Sequence, residues 1–177
     1  MVLVEQLISY AHYHRDPRNI ATHLLGIPMI VLAVSVLLAQ PVRHLGDLYL
    51  TPAWVLITVV CAAYYFPMGW RVGLTMATLL SLSNLVGHEL AQRESGVWIW
   101  GVGLFVLGWT LQFLGHKWEG RKPAFVDDLR GLLQGPLFVV CELAFKLGLL
   151  KDLQSEIELA CGPVRRDPHA SPATPAH

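Results

Sequence analysis

The sequence predicts an all-α, polytopic membrane helix bundle with about four spans and with interfacial or re-entrant helices at both ends. Of its 177 residues, 54% are apolar and only 15% are charged, and the mean hydropathy is +0.47. A soluble domain of this size carries about 25% charged residues. The apolar residues also gather in stretches of about 20, the length that crosses a ~30 Å hydrocarbon core.

The chain opens with a short amphipathic segment. Apolar residues recur at helical spacing over residues 2–14, which predicts an interfacial helix. Pro17 ends it, because proline disfavours a helical conformation in the residue before it. The first span is then expected over residues 20–40, with Asn19 as its N-terminal cap.

Three further spans are predicted, over residues 52–66, 72–90 and 97–115. The first of these is shorter than a normal span, and the second is interspersed with Ser, Thr and Asn. A loop is expected over residues 42–51. Residues 131–150 are apolar but carry polar groups, so they are interpreted as an interfacial or re-entrant helix, with a fifth span as the alternative.

Charge and composition set the boundaries and the orientation. Residues 1–161 are predicted to form one membrane-embedded catalytic domain, and the Pro/Ala-rich residues 162–177 a disordered tail. Basic residues precede the first span and follow the fourth, so both termini are expected in the cytoplasm. The expected localisation is a multi-pass integral protein of the bacterial inner membrane, or of the endoplasmic reticulum in a eukaryote. The zero net charge argues against a nucleic-acid partner.

Histidines at helix ends are the first candidates for chemistry. His14 ends the interfacial helix and His23 lies in the first turn of the first span, so the turn between them can bring them together. Neutral imidazole is a common ligand for transition metals. A histidine that merely bonds lipid or backbone at the interface is an equally good interpretation.

A second cluster follows the fourth span. His116 and Glu119 are three residues apart and share a face if the helix continues. One imidazole and one carboxylate, with a second histidine, form the facial triad of non-haem iron(II) sites. Alternatively, Glu119 pairs with nearby basic side chains. Arg121 is either a clamp for a carboxylate headgroup or a positive-inside topology signal. His88, at the end of the third span, is a further candidate.

These residues resemble one family across nearly all of residues 1–150. The resemblance is to the membrane family of the yeast 2-hydroxy fatty acid dioxygenase, which acts in fatty-acid α-oxidation during phytosphingosine breakdown. The matching positions are Tyr13-His14, Asn19, His23, Gly26-Ile27-Pro28, His88, Gln112-Phe113, Gly115-His116, Glu119, Arg121-Lys122-Pro123-Ala124, Asp128-Leu129, Pro136-Leu137-Phe138 and Glu142.

The resemblance implies an iron(II)-dependent dioxygenase. It would shorten a 2-hydroxy long-chain fatty acid by one carbon with O2, releasing carbon dioxide, with Fe²⁺ as cofactor and membrane lipid around it. The implied metal ligands are His14, His23, His88 and His116, and the predicted catalytic residues are Glu119 and Arg121. One departure is local, because Glu119 follows His116 by three residues where the yeast-like pattern has four.

Simple topology places one of these histidines apart. With four full spans and a cytoplasmic N-terminus, His14, His23 and His116 lie on the cytoplasmic side, whereas His88 lies ~24 Å away along the helix direction. Either residues 72–90 are re-entrant or tilted, or residues 52–69 do not cross fully, or His88 is not a ligand with the other three.

Other functions are compatible with parts of this pattern. A membrane di-iron hydroxylase needs about eight histidines in paired spacings, but only six lie outside the tail. A bundle that binds haem through two histidines and a small membrane scaffold without enzymatic activity remain the alternatives. The oligomeric state is not specified by the sequence.

Overall fold

The computed structural model describes residues 2–46 and 48–165, and within them the chain is all-α apart from one short hairpin. The predicted fold class is confirmed at this level. The α-helices and strands of the described residues are α1 (Val2–Ala11), α2 (Pro17–Leu37), β1 (Arg43–Leu45), β2 (Leu48–Leu50), α3 (Pro52–Val60), α4 (Trp70–Ala91), α5 (Gly103–Glu119), α6 (Gly131–Lys146) and α7 (Lys151–Cys161).

Two helices of the described chain are long and apolar enough to cross a membrane. They are Pro17–Leu37, with a mean hydropathy of 2.2, and Val97–Glu119, which includes a π-helical turn before α5 and has a mean hydropathy of 1.7. Helices α6 and α7 together would make a third, but they are bent by 113° at the break between them. Four spans therefore stay a prediction.

The first span starts earlier than its sequence pattern suggests. Asn19 was expected to cap a helix beginning at Ile20, whereas α2 begins at Pro17. Proline suits the first helical position because its missing N–H has no partner there in any helix. Asp16 is the cap instead, since its Oδ1 accepts from the backbone N–H of Arg18 at 2.8 Å. Asn19 is thereby free to use its side chain elsewhere.

The segment after the first span is shorter and less regular. Helix α3 continues as a π-helical turn over Cys61–Tyr65 and a 3-10 turn over Phe66–Met68. It ends at Gly69, whose φ of 133° favours glycine. As predicted, this apolar segment falls short of a normal span. The predicted loop over residues 42–51 holds an antiparallel hairpin of β1 and β2, in which His44 pairs with Tyr49.

The chain divides into two compact units. One contains residues up to Ile27 together with those from Thr110 onward, and the other contains residues 28–109. The first unit brings together α1, the start of α2, the end of α5, α6 and α7. Gly115 allows a close approach there, because a Cβ at this position would lie 2.2 Å from Oγ1 of Thr22 and 2.4 Å from Oδ1 of Asn19.

Candidate metal centre

Three of the predicted histidines meet inside the first unit. His14 lies in the turn after α1, His23 in the second turn of α2 and His116 in the last turn of α5. One ring nitrogen from each lies within 4.8 Å of the others, and all three residues are buried. They form the histidine cluster, which is the group of potential metal ligands found among the described residues. The simplest topology predicted that these three residues could meet, and in the structure they do.

Two backbone carbonyls fix the ring orientations. Nδ1 of His14 lies 2.7 Å from the carbonyl oxygen of Tyr10, and Nδ1 of His23 lies 2.9 Å from that of Asn19. A carbonyl only accepts hydrogen bonds, so both Nδ1 atoms carry the hydrogen. In neutral rings each of the two Nε2 atoms then carries no hydrogen and presents its lone pair. In metal-binding histidines, the ring nitrogen that does not bind the metal commonly donates a hydrogen bond to a group such as a backbone carbonyl.

The two lone pairs face each other. Nε2 of His14 and Nε2 of His23 are only 3.0 Å apart. Two lone pairs at this distance repel each other unless a cation lies between or beside them. Two nitrogen ligands at right angles around one metal ion, each with a metal–nitrogen bond of ~2.1 Å, are also about 3.0 Å apart. A proton is a poor cation here, because burial, reinforced by the charge that His23 can carry, holds the pKa of His14 well below its usual range. The site therefore fits a metal ion.

The third ring is consistent with this arrangement. The ring centroid of His116 lies 5.0 Å from that of His14 and 5.0 Å from that of His23. Its Nδ1 is buried and has no hydrogen-bond partner among the described residues. A buried ring nitrogen without a partner is costly in a protein interior. One nitrogen of this ring lies close enough to those of His14 and His23 to share an ion with them.

Aromatic side chains close one side of the histidine cluster. The ring of Tyr10 stacks on His14 with centroids 4.2 Å apart and planes within 11°. The ring centroid of Phe138, on α6, lies 5.3 Å from that of His14 and 5.0 Å from that of Tyr10. These contacts hold the His14 ring rigid and exclude water from its face, which strengthens electrostatic interactions at the nitrogens.

Glu119 lies beside the histidine cluster but is fully engaged elsewhere. Its Oε2 accepts from the backbone N–H groups of Arg15 at 3.0 Å and Asp16 at 2.7 Å, and from Nδ2 of Asn19 at 3.0 Å. The residue is 2% exposed. A carboxylate that accepts this many hydrogen bonds holds the turn between α1 and α2 in place. The predicted catalytic role of Glu119 stays a prediction.

Residues beyond the predicted domain end contribute to the same network. Arg165 forms an ion pair with Oε1 of Glu119, and its backbone N–H donates to the carbonyl of Arg15 at 2.9 Å. In return, Nη1 of Arg15 donates to the carbonyl of Gly162 at 3.0 Å. The rest of the tail predicted as disordered, residues 166–177, lies outside the described residues.

The remaining predicted site residues have other surroundings. Arg121 is exposed, and its Nη1 donates to the carbonyl of His12 at 2.9 Å. His88 belongs to the second unit, where its ring stacks on Tyr49 with centroids 4.7 Å apart. The roles of Arg121 as a clamp and of His88 as a fourth ligand stay predictions.

Three buried or ion-paired residues of the first unit were not predicted as part of the site. Asn19 was interpreted as a cap, Arg165 was assigned to the tail, and Gln112 was only part of a motif. Gln112 could have been found, because it lies four residues before His116 and is a polar side chain within an apolar span. The contacts of Arg165 and Asn19 with Glu119 join positions 46 and 100 residues apart, and no local pattern shows them.

Comparison with known proteins shows the family of the chain. A sequence model of the family described as 2-hydroxy-palmitic acid dioxygenase Mpo1-like matches residues 2–147. The 2-hydroxy-palmitic acid dioxygenase MPO1 of Saccharomyces cerevisiae is 33% identical to the chain over 161 residues, which are 88% of the chain and 87% of the yeast protein. No solved structure matches the chain. The predicted resemblance is confirmed, and the chain belongs to the 2-hydroxy-palmitic acid dioxygenase Mpo1-like family.

Proposed function

We propose that this protein is an iron(II)-dependent dioxygenase that shortens 2-hydroxy long-chain fatty acids by one carbon. The reaction is R–CH(OH)–COOH + O2 → R–COOH + CO2 + H2O. It breaks the bond between the carboxyl carbon and the α-carbon, and the α-carbon becomes the new carboxyl carbon. The substrate loses four electrons and O2 gains four, so no separate reductant is needed.

The observation that carries the proposal is the pair of Nε2 atoms of His14 and His23, 3.0 Å apart. Both rings are held in the tautomer that a metal requires, and His116 adds a third buried imidazole. Three imidazoles suit a divalent transition metal such as iron and leave further coordination positions open. Bound iron(II) would supply the activation of O2 and would accept the substrate's carboxylate and hydroxyl oxygens.

The residues of the chain have separate tasks in this proposal. His14, His23 and His116 hold the ion, and Tyr10 and Phe138 keep water from the His14 ring. His88 remains the candidate for a fourth ligand, and Arg121 the candidate for a clamp on the substrate carboxylate.

The proposed substrate also indicates how the protein sits in the membrane. The alkyl chain of the substrate would lie among the apolar helices and enter from the bilayer. We infer a multi-pass protein with both termini in the cytoplasm. Candidate spans at Pro17–Leu37 and Val97–Glu119 support the membrane location.

Turnover tests the proposal. Protein purified without oxygen is supplied with iron(II), O2 and 2-hydroxypalmitate, in the absence of any reductant, next to the yeast relative as a positive control. We expect pentadecanoate and carbon dioxide in equal amounts, with one O2 consumed for each. Unchanged 2-hydroxypalmitate, while the yeast protein converts it, contradicts the substrate assignment.

A further inference from the structure

Gln112 carries a buried hydrogen-bond donor that no group in the described part of the chain accepts from. The residue is 5% exposed, and its side-chain nitrogen Nε2 is buried without a hydrogen-bond partner among the described residues. An amide N–H in an apolar interior is costly unless an acceptor reaches it. A ligand that brings an acceptor to this N–H would remove that cost.

The fold aligns Gln112 with the histidine cluster. Helices α5 and α2 run antiparallel here, since Glu119 contacts Asp16 whereas Gly115 approaches Thr22. A residue one turn earlier in α5 therefore lies beside a residue one turn later in α2. Gln112 lies one turn before His116 on the same face of α5, on the side of His116 that leads into the span.

The chemistry of the group selects the ligand. Nε2 of glutamine only donates hydrogen bonds, so its partner must be an acceptor. A hydrogen bond to a charged acceptor is about twice as strong as one between neutral groups. The headgroup of a 2-hydroxy fatty acid brings a carboxylate to the metal, while its alkyl chain extends toward the span. The carboxylate is therefore the acceptor that best matches a lone amide donor at this place.

We propose that Gln112 is a substrate-positioning residue, whose side-chain amide donates to a carboxylate oxygen of the 2-hydroxy fatty acid beside the histidine cluster. This inference rests on the proposed function and extends it, because it assigns a specific contact to the headgroup. It also explains a polar side chain in the middle of an otherwise apolar stretch. Gln112 orients the acid, and the histidines remain the only metal ligands that this inference needs.

The test is a binding titration that does not depend on turnover. Anaerobic full-length protein is loaded with Co(II), whose absorbance reports both metal binding and ligand binding. Wild type, Gln112→Leu, Gln112→Asn and Gln134→Leu are titrated with 2-hydroxypalmitate and with 1,2-hexadecanediol, which lacks the carboxylate. Gln134 is the matched control, because it is an equally buried glutamine (6% exposed) whose Nε2 does have a partner, Gln6.

We expect Gln112→Leu to raise the Kd of 2-hydroxypalmitate about 10- to 100-fold, with an unchanged Co(II) spectrum. Gln112→Asn should fall between this variant and wild type, because its amide is one methylene shorter. The Kd of the diol should not change, and Gln134→Leu should bind both ligands like wild type. If Gln112→Leu does not fold, Gln112→Asn carries the comparison.

Three results overturn the inference: a Kd for 2-hydroxypalmitate within twofold of wild type, an equal loss of affinity for the diol, or an altered Co(II) spectrum before ligand is added. Failure of the proposed function looks different. If wild type yields no pentadecanoate while Gln112→Leu still loses affinity for the acid alone, the reaction is wrong and the carboxylate contact stands.

Discussion

His14 and His23 show how single hydrogen bonds set the state of a metal site. Each Nδ1–H donates to a carbonyl four residues earlier in the chain, and each Nε2 is left with an unprotonated lone pair. This arrangement comes from the backbone, so it is present before any ion arrives. It reduces the cost of assembling ligands when a metal binds.

His14 also makes the metal-free protein sensitive to acid. Burial and the charge of His23 lower the pKa of His14, whereas in the unfolded chain a histidine titrates near ~6.5. The unfolded state therefore binds more protons below that pH. Stability from the neutral ring is complete above about pH 6.5 and is lost as the pH falls toward the lowered pKa.

Thermal unfolding of the metal-free protein between pH 5 and 8 measures this effect. We expect Tm to fall as the pH drops below about 6.5, and to fall less in His14→Gln, which does not titrate. Parallel curves for the two proteins would show that another group controls the acid sensitivity.

At the scale of elements, the turn between α1 and α2 is held by one distant carboxylate. Glu119 accepts from two backbone N–H groups of that turn and from Asn19, and it pairs with Arg165. Its removal leaves the backbone N–H groups of Arg15 and Asp16 without an acceptor. It also leaves Arg165 without its ion-pair partner. Breaking such a buried network costs about 3–5 kcal/mol.

Glu119→Ala is therefore expected to lower the free energy of unfolding by about 3–5 kcal/mol and to loosen the His14 turn. Glu156→Ala is the control, because Glu156 is exposed on α7. Chemical unfolding in detergent measures the difference between the two variants. Equal stability of both would mean that Glu119 does not hold the turn.

The contact between α2 and α5 depends on one glycine. A methyl group at position 115 would overlap Oγ1 of Thr22 and Oδ1 of Asn19 and would lie 3.2 Å from Cα of Asn19. Gly115→Ala therefore requires both side chains to rotate and the helices to move apart by a few tenths of an ångström. We expect a loss of about 1–3 kcal/mol in stability and about tenfold weaker metal binding, since His116 moves away from His23.

Gly103→Ala is the matched control for that experiment. It lies on the same helix, and the nearest atom to its added Cβ is the Trp98 carbonyl oxygen at 3.7 Å, an ordinary contact. Alanine is the better helix former, so this variant should be as stable as wild type or more stable by about 0.5–1 kcal/mol. Similar behaviour of both alanine variants in unfolding and metal titration contradicts the packing argument.

At the scale of the whole molecule, sequence patterns predicted the helical class, the short segment after the first span and the meeting of three histidines. These features depend on hydropathy and on which helix ends share a side of the membrane. The start of α2 was wrong by three residues, because Asp16 competes with Asn19 as a cap and Pro17 favours the earlier start. The hairpin at residues 43–50 has no strong strand pattern.

The part of the site that sequence could not supply is its long-range network. Glu119 shares a helical face with His116 and was thus a natural candidate for a ligand or a catalytic group. Its contacts with Asp16 and Asn19 close loops of about 100 residues, so they depend on the packing of α5 against α2. The position of His88 in the bilayer depends likewise on how many segments cross, and four spans stay a prediction.

Anaerobic iron titration of the full-length protein tests whether His14, His23 and His116 hold one iron(II) ion. We expect about one tightly bound iron(II) per chain in wild type, loss of that binding in His23→Ala and His116→Ala, and retention in His12→Ala, whose side chain is exposed. Equal iron binding by wild type and His23→Ala would show that these histidines do not form the iron site.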